Sequence, residues 1–200
     1  MGDFTNAYVY YSKTILLDST FALAYFNRAN IEEVLGDEKA YKKDIDKAIE
    51  KKPDLFVAVF AKARTEYTMA NYKGAISDFT EAIKIRPDFY IAYSMRGTAQ
   101  YKLGNLSGAI EDYNAEVKLK PSHIMGYVNR SVVFGEQKNY KAAIEDLDAA
   151  LNIDPMWSQG YIYRGVYRAK IKDKDACHDF FIAKNMRNPN AADYIKQYCK

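Results

Sequence analysis

Apolar and aromatic residues return at helical spacing in short runs, and each run is cut by a turn signal. In "YIAYSMRGTAQYKL", residues 90–103, they fall three and four apart. "GN" breaks that run, and "LSGAIEDYNAEVKLK" resumes the pattern until Pro121 stops it. So short a connection predicts two antiparallel helices. The same phrase recurs along the chain. All five prolines, Pro53, Pro87, Pro121, Pro155 and Pro189, stand 34 residues apart, and an internal period of that length marks a solenoid. Aligned on them, residues 22–55, 56–89, 90–123, 124–157 and 158–191 each read as a pair of amphipathic helices.

The repeat carries large residues at position 4 (Tyr25, Val59, Tyr93, Tyr127, Tyr161) and small ones at position 8 (Ala29, Ala63, Gly97, Ser131, Gly165). Position 20 holds Tyr41, Ala75, Ala109, Ala143 and Cys177, and position 24 holds Ile45, Phe79, Tyr113, Leu147 and Phe181. Small residues let two helices approach, and large ones fill the gaps around them. This pattern resembles the tetratricopeptide repeat family, in particular its bacterial members. The resemblance implies an all-α fold: a right-handed α-solenoid of 34-residue helix-turn-helix repeats with a C-terminal capping helix. It spans nearly the whole chain as one module. Tyr41 in a small-residue slot, with Glu38 at position 17, predicts a splayed or shifted helix pair in the first repeat. Glu116 and Lys184 at position 27, usually Ala, put the packing of the third and fifth repeats in question.

On the same period Phe4, Ala7, Tyr11 and Thr14 occupy positions 17, 20, 24 and 27, so residues 1–21 hold the second helix of a repeat whose first helix is absent. The expectation is a piece trimmed from a longer protein, since such a helix leaves an apolar face uncovered. At the other end "AADYIKQYCK" predicts a helix, ending over residues 192–200, that caps the array with Tyr194, Ile195 and Tyr198 on one side.

Composition narrows the function. With 29 basic and 26 acidic residues the net charge is +3, without charge blocks, which speaks against nucleic acid as a partner. No apolar run reaches the length of a membrane span, and the N-terminus lacks the layout of a signal peptide. Asn6 stands where a myristoylation motif needs Ser or Thr. The expected localisation is soluble, cytoplasmic, or exported if a signal lies upstream. No metal spacing, phosphate loop or nucleophile elbow occurs, so no cofactor, metal or enzymatic activity is expected. Cys177 and His178 are neighbours and diverge on a helix, so they do not form a nucleophile–base pair. Asn105 and Asn129 begin sequons that read as accidental.

Cys177 and Cys199 lie on helices that fold back around Pro189, so a disulfide stapling the cap is sterically open and would imply an oxidising compartment. The alternative is two buried small hydrophobes. That alternative is the leading reading, and the ending, which resembles the closing repeat of many bacterial family members, often exported ones, adds a little weight to the bond.

Charge is also periodic. Position 7 is basic in every repeat (Arg28, Lys62, Arg96, Arg130, Arg164), and position 23 is acidic in four (Asp44, Asp78, Asp112, Asp146). A row of cations can grip an acidic ligand. A matching row of aspartates favours a structural ladder instead, because unpaired charge beside a packed seam is costly. Whether each Asp pairs within its own repeat is open at this point.

Family arrays bind peptides or partner domains along a concave groove, which the resemblance lines here with Leu23, Phe26, Asn30, Val57, Phe60, Arg64, Tyr67, Ile91, Ser94, Thr98, Tyr101, Val128, Val132, Ile162 and Val166. Phe26, Phe60, Tyr67 and Tyr101 predict an exposed aromatic patch. The family's carboxylate clamp for chaperone tails needs Lys and Asn at positions 5 and 9; the first three repeats offer Phe26 and Asn30, Phe60 and Arg64, and Ser94 and Thr98, so that mode is excluded. The expectation is a non-enzymatic scaffold for a peptide with apolar anchors, with Arg64 and Lys170 selecting acidic flanks. The alternative is a structural spacer, or self-association through the N-terminal half repeat.

Overall fold

The computed structural model describes residues 2–199, which form twelve helices and, among the described residues, no strand. They are α1 (Gly2–Leu17), α2 (Ala22–Leu35), α3 (Glu38–Lys51), α4 (Phe56–Thr68), α5 (Tyr72–Ile85), α6 (Tyr90–Lys102), α7 (Leu106–Leu119), α8 (Ile124–Glu136), α9 (Tyr140–Ile153), α10 (Ser158–Lys170), α11 (Ala176–Asn185) and α12 (Ala191–Tyr198). The chain divides into two compact units, residues 1–99 and 100–200. In the first, α1 packs on α2, α2 on α3, α3 on α4 and α4 on α5; in the second, α7 to α12 pack in the same sequential way.

Local chemistry explains each hairpin. Position 15, one or two residues past the first helix of each repeat, takes the left-handed conformation: Gly36, Ala70, Gly104, Lys138 and Lys172 have φ of 76°, 59°, 77°, 58° and 58°. This ends the helix and turns the chain back. The next residue caps the second helix: Asp37, Asn71, Asn105 and Asn139 accept the backbone N–H of Ala40, Gly74, Gly108 and Ala142 at 3.0, 3.3, 3.2 and 3.4 Å. Between the helices Ala29, Ala63, Ala75, Ala109 and Ala143 are fully buried, with Phe79, Tyr113 and Leu147 filling the space beside them. The tyrosine at position 4 adds a tie: Tyr93 and Tyr161 donate to the carbonyls of Pro87 and Pro155 at 3.1 and 3.2 Å.

Two expectations about packing are corrected. Tyr41 does not splay its hairpin: α2 and α3 stay closely packed, because the ring points on toward α4. There its hydroxyl accepts from the Thr65 hydroxyl at 3.1 Å and donates to the Ala61 carbonyl at 3.5 Å. Glu116 sits fully buried in its alanine slot, with its carboxylate 2.7 Å from Nδ1 of His123. Gly126 makes the room, since a Cβ there would come within 3.0 Å of the Glu116 carboxyl carbon.

The fifth repeat differs by a register slip. Asp173 accepts from the N–H of Asp175 at 2.9 Å instead of capping a helix, and the buried alanine follows the left-handed residue one position sooner, Ala176 after Lys172 where Ala75 follows Ala70. Ala176, Phe180 and Ala183 therefore fill the slots assigned by period to Cys177, Phe181 and Lys184, while Phe181 is 47% exposed. A second left-handed residue, Arg187 with φ 60°, restores the spacing before Pro189.

At the C-terminal end, α12 lays Tyr194 and Tyr198 against Phe180, with ring centroids 5.5 and 5.7 Å apart. The sulfur atoms of Cys177 and Cys199 stand at bonding distance, with Cα atoms 5.7 Å apart. An eight-residue helix is too short to hold its shape alone, so the staple and the aromatic stack share that task. Reduction by a dithiol should therefore speed amide exchange over residues 191–199 by about tenfold while α9 stays protected, and Cys199→Ser should show the fast pattern without reductant.

Glu32 is a strained point in the first repeat. It is buried, Oε2 has no hydrogen-bond partner, and Oε1 is 3.9 Å from the Arg28 guanidinium that Asp44 already occupies. Burial, and then the nearby Asp44 charge, push the Glu32 carboxyl up to about 7. A folded pKa above the unfolded one means that stability falls as pH rises from the ordinary glutamate range through about 7. Glu32→Gln should thus melt roughly 4 °C higher than the native chain at alkaline pH, with the gain gone in mild acid, as thermal melts at the two pH values would read.

Candidate functional site

The periodic charges come first, because they decide which cations are free. Arg28 grips Asp44 with Nε and Nη2 at 2.6 and 2.9 Å, and Arg130 grips Asp146 in the same two-pronged way at 2.9 and 2.5 Å. In each case the pair lies within one repeat. The bond to the aspartate holds both guanidinium groups above their ordinary pKa. The third nitrogen reaches back to position 25 of the preceding repeat: Arg28 to Ser12 at 3.2 Å, Arg96 to Thr80 at 3.0 Å, Arg130 to Asn114 at 2.6 Å and Arg164 to Asp148 at 2.7 Å. Four of these guanidinium groups also lie 5.3–5.9 Å from the position 4 rings of Tyr25, Tyr93, Tyr127 and Tyr161.

The ladder has a fifth aspartate that the strict 34-residue register misses. Arg164 grips the fully buried Asp179 at 3.1 and 2.6 Å, and Arg168 adds a bond at 2.9 Å. The signal was the offset Ala–x–x–Asp before a large residue, shared by Ala75/Asp78/Phe79, Ala143/Asp146/Leu147 and Ala176/Asp179/Phe180. The second repeat has the loosest rung: Lys62 is 4.0 Å from both Asp46 and Asp78, and Val59 offers no ring. Burial pushes the Asp78 carboxyl up, with Lys62 only partly offsetting it.

In the unit of residues 1–99 the structure gathers five of the predicted groove residues, Phe26, Asn30, Val57, Phe60 and Arg64, around one hollow. Phe56, Ala61, Arg86 and Phe89 complete its wall. The rings are mutually packed: Phe56 meets Phe60 at 5.8 Å and Phe89 at 4.9 Å, and Phe60 meets Phe89 at 5.1 Å and Phe79 at 5.7 Å. Two cations stand among them in different states. Arg64 is tied to Glu33 at 2.8 and 3.1 Å. Arg86 lies over Phe56 at 4.6 Å and Phe89 at 5.2 Å. Arg86 and Phe89 belong to the turn between α5 and α6, and a lining expected only from first helices left them out.

The other predicted groove residues stand apart from this hollow. Leu23 and Ile91 are exposed, and Tyr67 packs on Tyr72 at 5.5 Å. Ser94 and Thr98 are half-buried, with the Thr98 hydroxyl donating to the Ser94 carbonyl at 2.8 Å. In the unit of residues 100–200, Tyr101 donates to Glu136, a bond that pushes the phenol up to about 12, and Val132 and Val166 are half-buried. Val128 and Ile162 are buried at 5% and 0% exposure, so the structure removes them from any ligand surface; Ile162 belongs to the core under α12. Lys170 is exposed at the end of α10. Among the described residues no group of three or more His, Cys, Asp or Glu is placed to hold a metal ion, and no helix is long and apolar enough to cross a membrane.

Helix hairpins repeated on one period, with shared caps and a shared ion-pair ladder, define a helical-repeat protein. The chain is a tetratricopeptide repeat protein: residues 60–124 and 126–155 match models of that repeat. No curated protein matches it in sequence. Among solved structures it is similar to YrrB, a TPR protein with an unusual peptide-binding site, at 19% identity and a TM-score of 0.81, over 94% of this chain and 97% of that one. It is also similar to MamA from Desulfovibrio magneticus RS-1, at 16% identity and a TM-score of 0.75, over 84% and 96% of the two chains. A third is pilF of Pseudomonas aeruginosa, at 15% identity and a TM-score of 0.75, over 98% and 89%.

Arg130→Met strands the buried Asp146 and should destabilise the chain by about 3–5 kcal/mol in urea unfolding, whereas Arg130→Met combined with Asp146→Leu should recover most of that loss.

Proposed function

We propose that the chain is a non-enzymatic scaffold that takes a peptide or a partner protein on the first-helix face of residues 1–99, anchored in the aromatic hollow. One observation carries this reading: Phe26, Val57 and Phe60 come from two successive first helices and line a concave surface together with the turn residue Phe89. An apolar hollow rimmed by a few polar groups suits a peptide side chain. The shared fold with YrrB supports a peptide ligand, though the 19% identity speaks for the fold alone.

A second reading, self-association or a spacer role, draws on α1. Phe4, Thr5, Tyr8, Val9 and Leu35 line a second, strongly apolar hollow, and Phe4, Val9 and Leu35 are 47%, 45% and 66% exposed.

Capture from a lysate of the source organism with the native chain and with Phe60→Glu separates the two. A protein bound by the native chain and lost by Phe60→Glu, at roughly tenfold lower recovery, is the expected result. Equal capture by both baits, together with a mass that rises with concentration in sedimentation and falls back on Tyr8→Lys, would favour self-association.

A further inference from the structure

The hollow of residues 1–99 holds a cation in an unusual state. Arg86 follows α5 directly, and its backbone N–H bonds the Ala82 carbonyl at 2.9 Å, which fixes the base of the side chain. The guanidinium lies over Phe56 and Phe89, so two rings restrain its plane. No carboxylate among the described residues pairs with it. The other arginine of the hollow, Arg64, is held by both oxygens of Glu33. The ladder guanidinium groups of Arg28, Arg96, Arg130 and Arg164 are likewise engaged by an aspartate or by a position 25 side chain. Arg86 is thus pre-positioned on its apolar faces while its hydrogen-bonding edge stays open.

We propose that Arg86 is the selectivity residue of this hollow and receives an Asp or Glu side chain of a bound peptide, next in the peptide to a large apolar residue that packs on Phe60 and Phe89. This inference rests on the reading of the hollow as a peptide site. A guanidinium presents a planar fork that matches a carboxylate through two parallel bonds, and a fork already held by stacking loses little freedom on binding. The lining spans α2, α4 and the turn after α5, so the apolar anchor and the acidic group are received by different elements. The role expected of Arg64 from the sequence passes to Arg86, because Glu33 already neutralises Arg64.

The test is a selection from a random peptide library displayed without free C-termini, run in parallel on the native chain, Arg86→Gln and Phe60→Glu. The native chain should enrich peptides with Asp or Glu within a few residues of Phe, Leu, Ile or Trp, and those peptides should bind Arg86→Gln about tenfold more weakly in titration. Arg86→Lys should fall between the two, and the acidic preference should fade at high salt. Circular dichroism should show Arg86→Gln folded like the native chain, since Arg86 is exposed. Native-selected peptides without acidic enrichment, or acidic peptides that bind Arg86→Gln equally well, overturn the role of Arg86 and leave the hollow intact. Peptides that bind Phe60→Glu as well as the native chain overturn the peptide site itself.

Discussion

One guanidinium in three directions is the contact on which the array depends. The arginine at position 7 of the repeat uses two nitrogens on the aspartate of its own second helix and the third on the preceding repeat, while its face lies near the tyrosine one turn earlier. Arg130 shows all of this at once, joining Asp146, Asn114 and Tyr127. A single side chain thus closes the hairpin and sets its distance from the hairpin before it. Desolvating such a pair is costly, and the bidentate geometry with every nitrogen engaged is what offsets the cost. Where Lys62 replaces arginine, both carboxylates stand at 4.0 Å and the fork is lost.

That constraint also explains the last repeat. The register of α11 is advanced by one residue, yet Asp179 still meets Arg164, and Ala176 and Phe180 still enter the core. Packing and ion pairing held their register, and the slack was taken up in the turns at Asp173 and Arg187. A turn residue can shift at little cost, whereas moving a buried carboxylate off its guanidinium strands two charges.

Function, on the reading offered above, uses what the ladder leaves over. Phe89 packs edge to face on Phe56 and Phe60 where α4 meets the turn after α5, and these rings hold a cation at their rim that the ladder does not use. The repeats are alike in their seams and differ on their faces. Phe56, Phe60 and Phe89 fall at positions where the third repeat carries Tyr90, Ser94 and His123, and no other repeat has three phenylalanines there, so an aromatic hollow of this kind is a property of one place and not of the repeat.

The sequence by itself determined the repeat: five prolines on one period and the small and large slots at positions 8 and 24 were legible, because each acts through neighbours a few residues away or through a strict period. The basic and acidic columns were legible as columns. Only the tertiary structure decided how they join, since a pair 16 residues apart and a pair with the preceding repeat are equally allowed along a chain. It also decided that Val128 and Ile162 are core while Phe60 lines a hollow. All three sit on first helices at helical spacing, and what separates them is whether a neighbouring helix covers that face, which no single helix encodes.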